Sequence, residues 1–158
     1  MEVLLYAPQY PGNLGSIVRT SAAWNINKIY IFDRHHLLGH KTTRKLRERV
    51  SMGHDHEVEL IPVKDAERFV QNYEHPFATA LENAKRLGDS QYDLKIPEDA
   101  LIMFGNENTG LPDVLLRLER VQKVTIPTRS PDHCFNLSVA YGIVMYEVLR
   151  QNPHHFPR

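Results

Sequence analysis

Leu101-Ile102-Met103-Phe104-Gly105-Asn106-Glu107-Asn108-Thr109-Gly110-Leu111-Pro112 is the stretch that settles the fold class. An apolar run stops abruptly in a glycine, a carboxamide and a carboxylate. A second glycine and Leu-Pro then lead into a helical pattern over Asp113–Leu118. A short apolar run bounded by turn residues reads as a buried strand, and strand followed by helix is the unit of an α/β sheet. Polar groups at the carboxyl end of such a strand lie where open α/β sheets bind ligands. Gly105 is expected to let backbone approach a ligand closely, and Gly110 to take up a positive φ. Pro112 suits the first turn of a helix. An ordinary strand–turn–helix would use the same residue types, so the stretch by itself fixes fold class and not function.

Strand and helix patterns alternate outward from it to both ends. Glu2–Ala7 reads as a strand closed by Pro8 and Pro11, Leu14–Trp24 as a helix, Lys28–Asp33 as a strand and Thr42–Val50 as a basic helix. Val58–Val63 reads as a strand, Asp65–Tyr73 as a helix, Pro76–Leu81 as a buried strand, Lys123–Ile126 as the last strand and Asn136–Gln151 as the last helix. No repeat, low-complexity tract or linker interrupts the series. It predicts one α/β domain over residues 1–151, a parallel sheet with helices on both faces. The tail Asn152–Arg158 is expected to fray. In the last helix Leu137, Val139, Ala140, Ile143, Val144, Met145, Tyr146, Val148 and Leu149 cover most of the circumference. A helix lying on a sheet needs only one apolar stripe. A second partner is therefore expected, and in so small a domain it reads as a second subunit, giving a homodimer.

At 158 residues the chain has the size of one domain, and 42% apolar with 24% charged residues is ordinary globular composition. The single cysteine, Cys134, excludes an intrachain disulfide and fits a reducing compartment. No apolar run approaches the ~18 residues that span a bilayer, and the N-terminus opens as a strand, not as a signal peptide. A cytoplasmic protein without membrane contact is expected. The 19 basic and 19 acidic side chains cancel, which argues against indiscriminate coating of nucleic acid. A local basic patch exists nonetheless: Arg34, Lys41, Arg44, Lys45, Arg47 and Arg49, with His35, His36 and His40 between them and Glu48 as the only acid. A charge run is usually a solvated face. Its clustering in a neutral chain favours a phosphate-contacting surface. His54 with His56, and the pair His154-His155, lack a cysteine or carboxylate set at ligand spacing, so no metal is expected. No base is placed beside Cys134 to make it a nucleophile.

Two further polar turns accompany the one at Gly105. Pro11-Gly12-Asn13-Leu14-Gly15-Ser16-Ile17-Val18-Arg19-Thr20 joins the first strand to the first helix. Asn13 is the expected N-cap, and the helix N-terminus is a ready anion site. Ser16, Arg19 and Thr20 share a face by their spacing, and arginine offers phosphate a planar fork of donors. There is no G-x-G-x-x-G to support a conventional dinucleotide fold. The third turn is Ile126-Pro127, a polar loop, and then Cys134-Phe135-Asn136-Leu137-Ser138-Val139-Ala140, where Asn136 or Ser138 is expected to cap the last helix.

In order and separation the three turns resemble the three motifs of the SpoU/TrmH family, RNA ribose 2′-O-methyltransferases of the SPOUT class. Asn13, Gly15 and Arg19 match the first motif. Phe104-Gly105-Asn106-Glu107 with Gly110-Leu111 match the second. Ile126-Pro127 and the run from Cys134 to Ala140 match the third. The resemblance covers essentially the whole chain. It implies a C-terminal trefoil knot holding S-adenosylmethionine through Met103, Phe104, Gly105, Asn106, Thr125, Ile126, Pro127, Cys134 and Leu137. It also implies attack of a ribose 2′-oxygen on the sulfonium methyl, with Arg19, Asn13, Glu107 and Asn136 as the catalytic set. RNA, most readily tRNA, would be held by Ser16 with Arg34, Lys41, Arg44, Lys45 and Arg47. Sites in this family commonly combine residues of both subunits. Cys134 replaces the family's usual serine, and the loop Thr128–His133 lacks a glycine after Ile-Pro. The competing readings are an rRNA 2′-O-methyltransferase, a non-catalytic dimeric RNA-binding module of the same fold, and a nucleotide-binding protein without RNA. The presence of Arg19, Asn106, Glu107 and Asn136 favours the enzyme.

Overall fold

A parallel sheet of seven strands organises the chain in the order β3-β2-β1-β6-β4-β7-β5. The computed structural model describes residues 1–89, 94–130 and 133–155. The strands are β1 (Glu2–Tyr6), β2 (Lys28–Phe32), β3 (Glu59–Pro62), β4 (Pro76–Thr79), β5 (Lys85–Arg86), β6 (Leu101–Phe104) and β7 (Gln122–Thr125). The helices are α1 (Pro11–Ala23), α2 (Lys41–Val50), α3 (Ala66–Gln71), α4 (Asp113–Leu116) and α5 (Leu137–Gln151). Short 3-10 turns form at His54–His56 and Pro153–His155.

β1 and β6 lie side by side in the middle of the sheet, with Glu2 opposite Leu101 and Leu5 opposite Phe104. Both faces of these strands are covered, which is why each reads as an unbroken apolar run. Side chains alternate between the faces. Val3, Leu5, Ile29, Ile31, Ile102 and Phe104 pack with Leu14, Ile17, Tyr141 and Met145 of α1 and α5. Leu4, Ala78, Leu101 and Met103 pack with Ala66 and Val70 of α3 and Leu115 of α4. The expected two-faced sheet is the observed one. Within the first layer Ser21 Oγ donates to the Ile17 carbonyl and meets the Tyr141 hydroxyl at 2.6 Å, so the tyrosine donates across α1 and α5. Burial pushes the Tyr141 hydroxyl well above its ordinary range, keeping it the neutral donor this contact needs.

α2 rides on α1, not on the sheet. A Cβ at Gly15 would lie 2.8 Å from Val50 Cβ and 2.9 Å from the Arg47 carbonyl oxygen, so the helices approach this closely only because that position is glycine. The contact corrects one expectation. Arg47, expected as an exposed phosphate-contacting residue, is buried and holds Asp55 through Nε at 2.9 Å and Nη2 at 2.8 Å. A bidentate pair of this kind fixes geometry as well as charge, and here it ties α2 to the following 3-10 turn.

The start of α1 is a second correction. The helix begins at Pro11 with Tyr10 at the N-cap, so Asn13 is in the first turn and does not cap it. Proline at the first helical position, where its missing N–H costs nothing, sets the boundary. The tail is a third correction as far as it is described. Asn152 Nδ2 donates to the Ile96 carbonyl at 2.9 Å and Gln151 Oε1 accepts from Ile96 N at 2.8 Å, so residues 152–155 are docked; residues 156–158 lie outside the described ones. β5 was not expected, because two exposed basic residues carry no strand signal. Among the described residues no helix is long and apolar enough to cross a membrane.

Candidate active site

The loops that follow β1 and β6 leave their neighbouring strands toward opposite faces of the sheet. α1 buries Leu14 and Ile17 on one face, and Leu111 and Leu115, beyond β6, are buried on the other. The divergence makes the carboxyl edge between β1 and β6 the switch point at which open α/β sheets bind ligands. Hydrogen bonds join the two turns there. Glu107 Oε2 accepts from Gln9 N at 2.8 Å, and Oε1 accepts from Tyr10 N at 3.2 Å and Asn13 Nδ2 at 2.9 Å. The carboxylate thus satisfies donors at the start of α1 that no side chain of α1 caps, and its charge suits the positive end of the helix.

The chain of contacts continues into the third turn. Asn136 Nδ2 donates to Asn13 Oδ1 at 2.9 Å, and Asn136 Oδ1 accepts from Ser138 N at 2.9 Å and Ser138 Oγ at 2.7 Å. Both ends fix the orientation of the amides. A carboxylate only accepts, so Asn13 must turn its nitrogen to Glu107 and its oxygen to Asn136. A backbone N–H only donates, so Asn136 must turn its oxygen to Ser138. One N–H on each carboxamide makes no hydrogen bond among the described residues. Asn136 is thereby the N-cap of α5, as the sequence indicates.

Asn106 organises the β6 turn from inside. It is buried, its Nδ2 donates to the Ala7 carbonyl at 2.6 Å, and its Oδ1 accepts from Asn108 N at 2.9 Å and Thr109 N at 3.1 Å. Ala7 is held at φ 49°, which turns the chain out of β1; a non-glycine residue there costs about 1 kcal/mol, which the contact from Asn106 offsets. Asn106 and Gly110 also exchange backbone hydrogen bonds of 3.1 and 2.8 Å, with Gly110 at φ +68° as expected. Close approach at Gly105 is real, but the backbone that approaches is the chain's own. A Cβ there would lie 2.2 Å from the Gly110 carbonyl carbon.

The structure gives the remaining expected residues the following positions. β4 lies between β6 and β7, so the ends of the three strands share one stretch of the sheet edge. Met103 and Phe104 are buried, Thr125 and Ile126 are half-buried, Pro127 is exposed, and Leu137 is buried in the first turn of α5. Thr79 Oγ1 donates to the Met103 carbonyl at 3.1 Å and locks β4 to β6. Cys134 is an exposed free thiol. Ser16 is half-buried on α1; Arg34, Lys41 and Lys45 are exposed, and exposed Arg44 pairs with Glu48 at 3.3 Å.

Arg19, the remaining residue of the expected catalytic set, lies on α1 six residues past Asn13. Six residues along an α-helix advance about 9 Å and leave on a different side from Asn13. Arg19 is exposed. The exposed aromatics Tyr10, 49% accessible, and Phe135, 43% accessible, were not expected at the site. They adjoin the Glu107–Asn13–Asn136 series in sequence, and single exposed aromatics next to polar motifs are the signal that would have found them.

Known proteins share this fold. A structure described as giving insight into the 2-OH methylation of C/U34 on tRNA superposes with a TM-score of 0.79 at 28% identity, covering 97% of this chain and 96% of that one. An AdoMet-bound rRNA methyltransferase from Sinorhizobium meliloti superposes with a TM-score of 0.74 at 26% identity, covering 94% of this chain and 55% of that one. Sheet order and site together define an α/β methyltransferase of the SPOUT class. Within that class the chain belongs to the SpoU rRNA Methylase family, whose model matches residues 1–146. A Geobacillus stearothermophilus protein named by assignment a tRNA (cytidine(34)-2′-O)-methyltransferase is 32% identical over 157 residues, 98% of this chain and 97% of that protein.

Proposed function

We propose that this chain transfers a methyl group from S-adenosylmethionine to the ribose 2′-hydroxyl of a tRNA nucleotide, the pyrimidine at position 34 for which its relatives are named. The observation that carries the reading is the hydrogen-bonded series Glu107–Asn13–Asn136, which joins all three polar turns. Leu81, 55% accessible just beyond β4, stands near the turns after β6 and β7 and suits the apolar part of such a cofactor. The same reading takes the C-terminal segment to be knotted.

When bound, held by the strand ends at Met103–Asn106 and Thr125–Pro127 with Leu137, S-adenosylmethionine would supply the ribose oxygen with an electrophilic sulfonium methyl whose leaving group is a neutral thioether. Asn13 and Asn136 offer their spare N–H groups to the ribose side. Glu107 has three donors on its two oxygens and acts as a positioning residue, holding Asn13, not as a free base. Arg19 of the partner subunit binds the phosphate beside the ribose. A guanidinium stays protonated, so it orients the nucleotide while the phosphate oxygens receive the hydroxyl proton. The homodimer this requires fits the stripe Val139, Ile143 and Tyr146, 48%, 38% and 54% accessible along one side of α5, since such a stripe marks an interaction surface. Tyr10 and Phe135 are available to stack on a base splayed out of its loop. The reading places the protein with its tRNA substrate in the cytoplasm.

RNA reaches the site across Arg34, Lys41, Arg44 and Lys45. Replacing Arg44 and Lys45 with alanine is expected to weaken tRNA binding and to flatten its salt dependence. The slope of log Kobs against log salt should fall by about 0.7–0.9 for each phosphate no longer neutralised. Filter binding across a salt series checks this. A wild-type protein without tRNA affinity would remove the substrate claim, and an unchanged slope would return the patch to ordinary solvated surface.

A further inference from the structure

Outside the hydrogen-bonded series at the sheet edge, three ligand-type side chains meet where the C-terminal turn docks on the segment leading into β6. His154 and His155 come from the turn, and Glu98 comes from 56 residues upstream. His154 Nε2 lies 2.6 Å and His155 Nε2 3.6 Å from Glu98 Oε2, and the three donor atoms all fall within 4.8 Å of one another. His155 Nε2 is shielded from solvent and has no hydrogen-bond partner among the described residues. A buried imidazole nitrogen without a partner is costly, and it faces the carboxylate that its neighbour already engages.

We infer that Glu98, His154 and His155 form a binding site for a divalent transition metal ion of the zinc type. Bonds of about 2.0–2.1 Å set tetrahedral ligand atoms about 3.4 Å apart. The His155–Glu98 spacing of 3.6 Å is already there. The His154–Glu98 contact has only to widen from 2.6 Å, which both side chains are free to do at 60% and 62% exposure. Two imidazoles and a carboxylate select zinc, nickel or copper over magnesium and calcium, and the fourth position is left to water. The platform is held independently of any ion, because Gln151 and Asn152 at the end of α5 bind the Ile96 backbone. An ion here would pin the end of α5 to the strand that delivers Gly105 and Glu107. The histidine pair alone did not reveal this in the sequence, because the carboxylate is remote along the chain.

Calorimetric titration of the full, tag-free chain with zinc chloride at neutral pH is expected to show one ion bound per subunit, with no heat from magnesium chloride. Glu98→Gln and His154→Ala should each weaken zinc binding about tenfold or more, while His54→Ala, in the other histidine-rich turn, leaves it unchanged. Zinc in excess should raise the melting temperature of the wild type and not that of Glu98→Gln, and acidification that protonates the imidazoles should release the ion. All three variants alter exposed side chains, so far-ultraviolet dichroism should match the wild type. No zinc binding by the wild type, equal response to magnesium, or zinc binding untouched by both Glu98→Gln and His154→Ala would overturn the assignment.

Discussion

Arg19→Ala is expected to lower methyl transfer by about 10²–10³-fold, the scale at which lost substrate positioning shows itself, while S-adenosylmethionine binds nearly as before. The side chain is exposed, so its loss should not weaken the fold. It stands six residues past Asn13, on another side of the same helix, and the proposed reading therefore assigns it to the partner subunit's site. The consequence is a complementation that only a shared site permits. Arg19→Ala and Asn136→Ala proteins, each inactive alone, should regain about a quarter of wild-type activity when mixed and reassociated, because half the dimers are mixed and each carries one intact site. Unchanged turnover in Arg19→Ala would refute its role. A mixture as inactive as its parents would place Arg19 and Asn136 in the same subunit's site.

Gly105→Ala should be the most damaging small substitution in the chain. The added methyl would sit 2.2 Å from the Gly110 carbonyl carbon, 2.3 Å from Leu111 N and 2.7 Å from Gly110 Cα, all of them backbone atoms. The loop cannot yield cheaply. Asn106 and Gly110 hold it closed through paired backbone bonds, and the Asn106 side chain anchors it to Ala7. A cost of about 3 kcal/mol or more is expected in urea unfolding. Any relief that opens the loop moves Glu107 away from Gln9, Tyr10 and Asn13, so activity falls even in the fraction that folds. Gly12→Ala is the control, since a Cβ there meets nothing within 4 Å. If the two variants unfolded at the same urea concentration, the loop would not be as tightly closed as the structure has it.

The strands of the central sheet were legible because β1 and β6 are buried on both faces and so are written as unbroken apolar runs. Convergence of Asn13, Glu107 and Asn136 was legible only through the resemblance, since residues so widely separated in sequence carry no local sign of contact. The same separation explains the miss at Asn13. Its helix is started by Pro11 and satisfied by Glu107, 98 residues from Gln9, so the local rule that makes asparagine a cap named the wrong residue. Arg47 looked like its neighbours in a basic run, and only the fold of the 3-10 turn brings Asp55 to it. Gly105 was read correctly as a point of close approach, yet the partner is the loop's own return.

The decisive experiment is mass-spectrometric mapping of unmodified tRNA incubated with the protein and methyl-labelled S-adenosylmethionine. Label is expected on the ribose 2′-oxygen of the pyrimidine at position 34, and its loss with Asn136→Ala. Label on a base, or no label from a protein that binds both tRNA and cofactor, would contradict the proposed reaction.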